Sequence, residues 1–252
     1  MKKLEAAVSL DYSRAHYIHL LGPTNVGKGY VCKLLKRHSF NGVLAFIGLG
    51  DLIRDRLKTD LEFRHRYASV IARGDLVSDL EVNPIVMKEN IRVRNKAQVV
   101  ITDGLFRNAK QVRRGRMMGM LGANSTILVL DALPSTCIRR AADRVKRKPD
   151  GPRLDANDIQ RRLRIYEQHF TSVLAAFQET SAQIYRVPAD RDIESGIFPD
   201  VVAHVNFALT MIPAMMSTEQ SVPAYLVAEA SSPPLKQSRQ PTFNSMPGIC
   251  AN

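Results

Sequence analysis

The run from Tyr17 to Tyr30 constrains this chain more than any other stretch. Tyr17 to Leu21 is apolar enough for a short buried strand, Gly22 opens a turn that closes on Gly27-Lys28-Gly29, and Val31, Leu34 and Leu35 then recur at helical spacing. Strand, glycine-bounded loop and helix together make the setting of a phosphate-cradling loop, in which backbone N–H groups and the helix dipole face one anion. Gly22, Pro23, Thr24, Asn25, Val26, Gly27, Lys28, Gly29 and Tyr30 are therefore the candidate phosphate-binding residues, with Lys28 as the mobile positive charge. The alternative, a tight turn with a solvated Lys28, fits the spacing and flanking pattern less well. Such loops usually follow Gly-Lys, directly or one residue later, with a Ser or Thr hydroxyl, and Gly29 and Tyr30 stand there instead. Phosphate binding is expected; the local hydroxyl contact is not.

A chain of 252 residues, 45% apolar, fits one medium α/β domain with appendages or two small ones. Its formal charge of +12 calls for an anionic partner, but charge alone does not choose among nucleotide phosphates, nucleic acid and a membrane surface. Cys32, Cys137 and Cys250 are far apart and odd in number, which suggests free thiols in a reducing compartment without metal-ligand spacing. Charged residues interrupt the N-terminal stretch, no apolar run is long enough to span a bilayer, and Cys250 stands third from the end, outside the prenylation pattern. A soluble cytoplasmic protein is expected.

Residues 1–16 read as an extension and 17–212 as the domain. Further strands are expected at Val43–Ile47, Gln98–Thr102, Thr126–Leu130 and Gln183–Val187, with helices between them and a last helix near Ile193–Leu209. Asp51 is a plausible N-cap for the helix opening at Leu52. Alternating, nearly continuous apolar strands and helices indicate a parallel sheet of five strands covered on both faces. From 213 to 252 periodicity vanishes in favour of Ser, Pro, Gln and Ala, which predicts a disordered tail.

In the helix expected at 134–147, Arg140, Arg144 and Arg147 share the face opposite Ile138, Ala141, Ala142 and Val145. In the long helix from about Asn157, Arg162 borders the apolar stripe, so its stem can pack while its fork reaches a fixed target. Taken singly, each arginine fits a solvated helix face; beside a phosphate loop, phosphate contacts gain ground. Asp103, at the carboxyl end of a strand, sits where ligands gather in open α/β sheets and could hold Mg²⁺ directly or through water; a helix-cap or turn role is the alternative.

These segments, in order, resemble the adenylate kinase (nucleoside monophosphate kinase) family. Gly22 to Tyr30 is similar to its glycine-rich loop; Gly48-Leu49-Gly50-Asp51-Leu52-Ile53-Arg54 and Gly74-Asp75-Leu76-Val77-Ser78-Asp79 resemble the two ends of its monophosphate-binding segment. Asp103-Gly104-Leu105-Phe106-Arg107, with Gln111 four places after the arginine, is similar to its Asp-Gly-Phe-Pro-Arg signature, and Arg140, Arg144 and Arg162 fall where it has lid arginines. The resemblance covers about residues 17–210. It implies a P-loop NTPase-type fold with a helical insert at about 48–78 and a short, zinc-free lid at about 145–155.

The implied reaction is transfer of the γ-phosphoryl of ATP to a nucleoside monophosphate, with Mg²⁺. By the resemblance, Lys28 and the loop amides hold ATP, and Arg140 lies against its base. Leu49, Arg54, Val77, Gly104, Arg107, Gln111, Arg153 and Arg162 serve the acceptor, while Arg144 and Arg162 close over the transferring group. The implied partners are ATP and a monophosphate, without nucleic acid or membrane, for a monomer.

Leu49 replaces the family's usual Thr, Leu105-Phe106 its Phe-Pro pair, and Tyr30 its Thr, which leaves the charges intact and alters contacts to bases and hydroxyls. Gln111 argues for AMP as acceptor. Asn108 directly after Arg107, as in pyrimidine-preferring relatives, argues for UMP or CMP. Tyr30 and Leu49 motivate a third reading, a relative that binds nucleotide with weak catalysis.

Overall fold

A computed structural model describes residues 15–38, 40, 42–73, 75–147 and 156–218. The chain runs β1 (His16–Leu21), α1 (Lys28–Arg37), β2 (Leu44–Gly48), α2 (Leu49–Thr59), α3 (Leu61–Ala72), α4 (Asp79–Arg94), β3 (Val99–Asp103), α5 (Ala109–Met117), β4 (Ser125–Asp131), α6 (Pro134–Arg147), α7 (Ala156–Gln178) and β5 (Gln183–Pro188). A π-helical turn, Ile193–Ile197, then leads into α8 (Phe198–Thr218). The strands form one parallel sheet of five in the order β2-β3-β1-β4-β5. The chain therefore has the parallel α/β sheet that its strand–helix alternation predicts, in the P-loop NTPase-type fold that the resemblance implies.

β1 is buried along its whole length because helices cover both faces of the sheet. One apolar layer gathers Tyr17, Ile47, Phe63, Val86, Ile127 and Phe177, and the other gathers Ile18, Val31, Val99, Leu128, Leu163 and Val201. Residues alternate between layers along each strand, as a pleated backbone requires. Local chemistry starts the helices. The Asp60 carboxylate accepts from Phe63 N at the head of α3, the Ser78 hydroxyl from Leu80 N at the head of α4, and the Asn108 side chain from Gln111 N at the head of α5.

Two expectations need correction. Asp51 does not cap α2: the helix starts at Leu49, a buried residue that turns directly out of β2, and Asp51 lies within the first turn. Nor does the last helix end near Leu209, because α8 continues to Thr218. The expected extension, up to residue 14, most of the lid and the tail from 219 lie outside the described residues. Among the described residues no helix is long and apolar enough to cross a membrane, and no cluster of His, Cys, Asp or Glu is suited to a metal.

Candidate active site

The carboxyl ends of β1 and β3 build the site. Sheet register sets Leu20 beside Asp103, and Asp103 beside Gly48. The glycine-rich loop, the Asp103 carboxylate and the head of α2 therefore meet at one edge of the sheet. Gly22 has φ 147 and Gly27 φ 117, backbone that residues with a Cβ rarely adopt. A Cβ at Gly22 would stand 2.7 Å from the Leu130 carbonyl oxygen. Lys28 Nζ donates to the Gly22 and Pro23 carbonyls at 2.8 Å each and spans the loop. α1 begins at Lys28 with no acidic residue of its own in the first turn.

Arg107, on the β3–α5 connection, is the cation that couples to Lys28, and Arg162 of α7 couples to Arg107 in turn. Surrounding protein lowers the Lys28 ammonium below its ordinary range; Asp103 opposes the shift and Arg107 adds to it. Arg107 is lowered in the same way, chiefly by desolvation, with Asp103 opposing and Arg162 reinforcing. Its guanidinium is open to solvent yet walled by protein, as at the floor of a cleft. Arg162 is lowered by burial, opposed by Asp158 and reinforced by Arg144. Lys28, Arg107, Arg162 and Arg144 thus form a continuous run of mutually repelling charge, with Asp103 as the carboxylate that offsets its first two members.

Arg162 also reaches the helical insert. Its Nη2 donates to the Ile71 carbonyl near the end of α3 at 3.1 Å, and Arg161 pairs with Asp75 at 2.6 Å. The Arg162 Nε is buried without a hydrogen-bond partner. Arg54 stands apart from the run of cations, exposed and paired with Asp51 at 2.5 Å. Leu49 and Val77 are buried in one apolar cluster with Ile53, Phe63 and Leu105, so they wall this side of the cleft. Arg153 lies outside the described residues.

The β3–α5 connection aims Arg107. Gly104 has φ 75, and Phe106 has φ 56, unusual for a bulky side chain. The Phe106 ring is held edge-on between His19, 4.9 Å away, and Phe177, 5.5 Å away. It also lies so close to Gly115 that a Cβ there would come within 2.4 Å of it. Arg107 Nε donates to the Gly104 carbonyl at 3.1 Å, and Arg107 N donates to Gln111 Oε1 at 2.6 Å.

Gln111 differs from its expected form, a free amide facing the cleft. Its Nε2 donates to Asp79 Oδ1 at 2.6 Å, so both ends of the carboxamide are engaged. One amide hydrogen and one oxygen lone pair remain. Asn108 is engaged in the same way: its Oδ1 caps α5, and its Nδ2 donates to Asp79 Oδ2 at 3.3 Å. Sequence reasoning assigned no role to Asp79, which no local spacing connects to Gln111.

On the other flank, Arg140 bridges the loop to the β5–α8 connection, donating to the Val26 and Arg191 carbonyls at 2.6 Å each. The Tyr30 hydroxyl donates to Glu194 in the π-helical turn. The side chain that replaces the usual loop hydroxyl is thus turned toward this connection, a second link that the sequence did not signal. Asp103 sets its carboxylate beside the first turn of α1. Its Oδ2 faces Gly29, at 3.4 Å from where a Cβ would be. A single carboxylate suits Mg²⁺, which keeps several waters and takes further oxygens from phosphates.

A protein-family model described as an AAA domain matches residues 21–157, more than half of the chain. The chain is 29% identical over 173 residues to the adenylate kinase of Xanthomonas euvesicatoria pv. vesicatoria (strain 85-10), covering 67% of this chain and 88% of that protein. It is 28% identical over 179 residues to the adenylate kinase of Tropheryma whipplei (strain Twist), covering 69% and 90% respectively. A shorter match, 34% over 93 residues, joins it to the adenylate kinase of Mycoplasma genitalium, with 37% of this chain and 42% of that protein covered.

Proposed function

The chain belongs to the AAA domain family, on its adenylate kinase side, and from that premise we propose that it transfers the γ-phosphoryl of ATP to a nucleoside monophosphate, AMP before CMP or UMP. The observation that carries the reading is the glycine-rich loop spanned by Lys28, with Asp103 and Gly48 beside it in the sheet and Arg107 folded over Gly104. Phosphoryl transfer asks little covalent help of a protein. It needs two phosphates held in line and positive charge where negative charge develops.

In this reading the loop amides and Lys28 hold the β- and γ-phosphates of ATP, and Arg140 lies beside its base. Arg107 holds the acceptor phosphate, joined by Arg54 once it leaves Asp51. An acceptor phosphate oxygen attacks the γ-phosphorus as the bond to the β-bridging oxygen breaks, and ADP leaves. Arg162, whose Nε has no partner, and Arg144 neutralise the charge on the transferring group. Mg²⁺, held at Asp103 directly or through water, supplies further positive charge on the donor phosphates. The α2–α3 insert and the 145–155 lid close over the substrates and exclude water, the competing acceptor. AMP is favoured because Gln111 retains one donor and one acceptor position and lines a pocket beside Leu49, Leu105 and Phe106.

A coupled assay with ATP and AMP, CMP or UMP tests this, with Lys28→Met as control. AMP should give the highest kcat/KM, and Lys28→Met should lower turnover about 10²–10³-fold while keeping the parent circular dichroism spectrum. Parent-like turnover by Lys28→Met, or no monophosphate accepted, refutes the reading.

A further inference from the structure

We infer that Asp79 is a positioning residue for base selection: it fixes which way round the Gln111 carboxamide faces the acceptor base, and so commits the site to a 6-amino purine over a 6-oxo purine. The inference rests on the monophosphate kinase reading.

A carboxamide has nearly the same shape after a half-turn, but the half-turn exchanges donor for acceptor. Its orientation is therefore set by neighbours that can only accept or only donate. Gln111 has one of each. The Asp79 carboxylate only accepts, and it receives Gln111 Nε2 at 2.6 Å. The Arg107 backbone N–H only donates, and it meets Gln111 Oε1 at 2.6 Å. Reversing the amide would set oxygen against carboxylate and N–H against N–H, leaving buried groups unpaired. Asp79 is itself held, because its other oxygen receives Asn108 Nδ2 at 3.3 Å while Asn108 Oδ1 accepts from Gln111 N at 2.9 Å. Capping of α5, the orientation of its first-turn glutamine and the head of α4 thus form one closed network.

Gln111 lines a pocket with Leu49, Val82, Leu105 and Phe106, where Asn83 and Arg114 are the other polar side chains, and its amide is held there at both ends. Fixed this way round, it retains one N–H for a ring nitrogen that accepts and one lone pair for an exocyclic amine that donates. Adenine has that pair on one edge. Hypoxanthine, with an oxo group and a ring N–H at the corresponding positions, has it reversed.

The test compares kcat/KM for AMP and IMP at saturating ATP in the parent, Asp79→Asn and Asp79→Ala. An asparagine can present either donor or acceptor to Gln111, so of the two neighbours that set the amide only the Arg107 N–H still does. The AMP/IMP ratio should fall about tenfold or more in Asp79→Asn, mainly through the KM values, while the KM for ATP stays within about twofold. Loss of folded protein scales both substrates equally and cancels in the ratio. Asp79→Ala, which removes the carboxylate without adding a donor, should also lower the ratio. An unchanged ratio, with AMP and IMP losing activity by the same factor in both variants, would overturn the assignment and leave the kinase reading standing. A parent inactive with every monophosphate would instead refute the kinase reading, and this inference with it.

Discussion

Two histidines inside the central strand make stability depend on pH in a window of their own. His16 Nε2 lies 2.9 Å from the Thr126 hydroxyl, and its Nδ1 is buried without a partner. His19 Nδ1 lies 2.7 Å from the Thr102 hydroxyl, and its Nε2 lies 2.8 Å from the Met120 carbonyl. A carbonyl only accepts, so His19 carries its proton on Nε2 and receives the Thr102 hydroxyl at Nδ1. A second proton on either ring would place a charge in the middle of the sheet. Burial accordingly lowers both groups from 6.5 to about 4.

Between those values the unfolded chain binds protons that the folded chain refuses. Stability is therefore fully present above pH 6.5, falls as pH drops through the window, and falls no further on this account below about pH 4. At pH 5 each histidine should cost about 2 kcal/mol relative to neutral pH, at 1.36 kcal/mol per unit. For a domain of this size the two together should lower Tm by roughly 10 °C. The assay is thermal and urea unfolding at pH 7.5, 6.5, 5.5 and 5.0 for the parent and for His16→Gln, His19→Gln. His204, lowered by desolvation, and the carboxyls of Asp190 and Asp192, lowered by hydrogen bonds, remain in both proteins, so the difference in slope isolates the central pair. Equal slopes in the two proteins, or an NMR titration placing both rings above pH 6, would refute the reasoning.

The phosphate loop offers a steric test. Gly22→Ala combines a disfavoured φ of 147 with a Cβ 2.7 Å from a backbone oxygen that cannot rotate away, and should weaken ATP binding measured by calorimetry about tenfold or more; parent-like affinity would mean that the loop has no such tight approach. Arg107→Ala should raise the KM for AMP and lower kcat with little change in ATP affinity, and its Tm should not fall; a loss confined to ATP would remove Arg107 from the acceptor side.

The loop was legible in the sequence because its requirements are local: glycines where a Cβ would strike Leu130 or Ile193, and a lysine that opens the next helix. Asp103 was legible because strand ends are visible as breaks in an apolar run. What the sequence did not show lies in pairings between distant segments. Gln111 was found, but its orientation depends on Asp79, 32 residues away. Arg140 was found as a helix-face arginine, yet it spans 114 residues to the Val26 carbonyl. The Phe106 backbone could not be read either, because φ 56 is imposed by the space between His19, Phe177 and Gly115 rather than by any preference of phenylalanine. Tyr30 reads in the sequence as a missing hydroxyl, and its partner Glu194 lies beyond six further helices and four strands.

Binding and stability pull in opposite directions in the cleft, which is why Arg107→Ala is expected to lose one and keep the other. Its neighbours Lys28 and Arg162 are both cations, and Asp103 opposes the desolvation of Lys28 and Arg107 alike. Removing the Arg107 charge relieves repulsion on both sides and leaves Asp103 to Lys28. It costs the hydrogen bond from Nε to the Gly104 carbonyl, at a solvent-open position where such a bond contributes little net stability. The backbone bond from Arg107 N to Gln111 Oε1 survives truncation, so the α5 network need not loosen. A phosphate that enters the cleft sees the opposite balance: each of those repelling charges becomes an attraction, in a setting less screened than bulk water. A pattern of charge that weakens the fold and strengthens an anion's hold is expected where binding, rather than folding, has placed the residues.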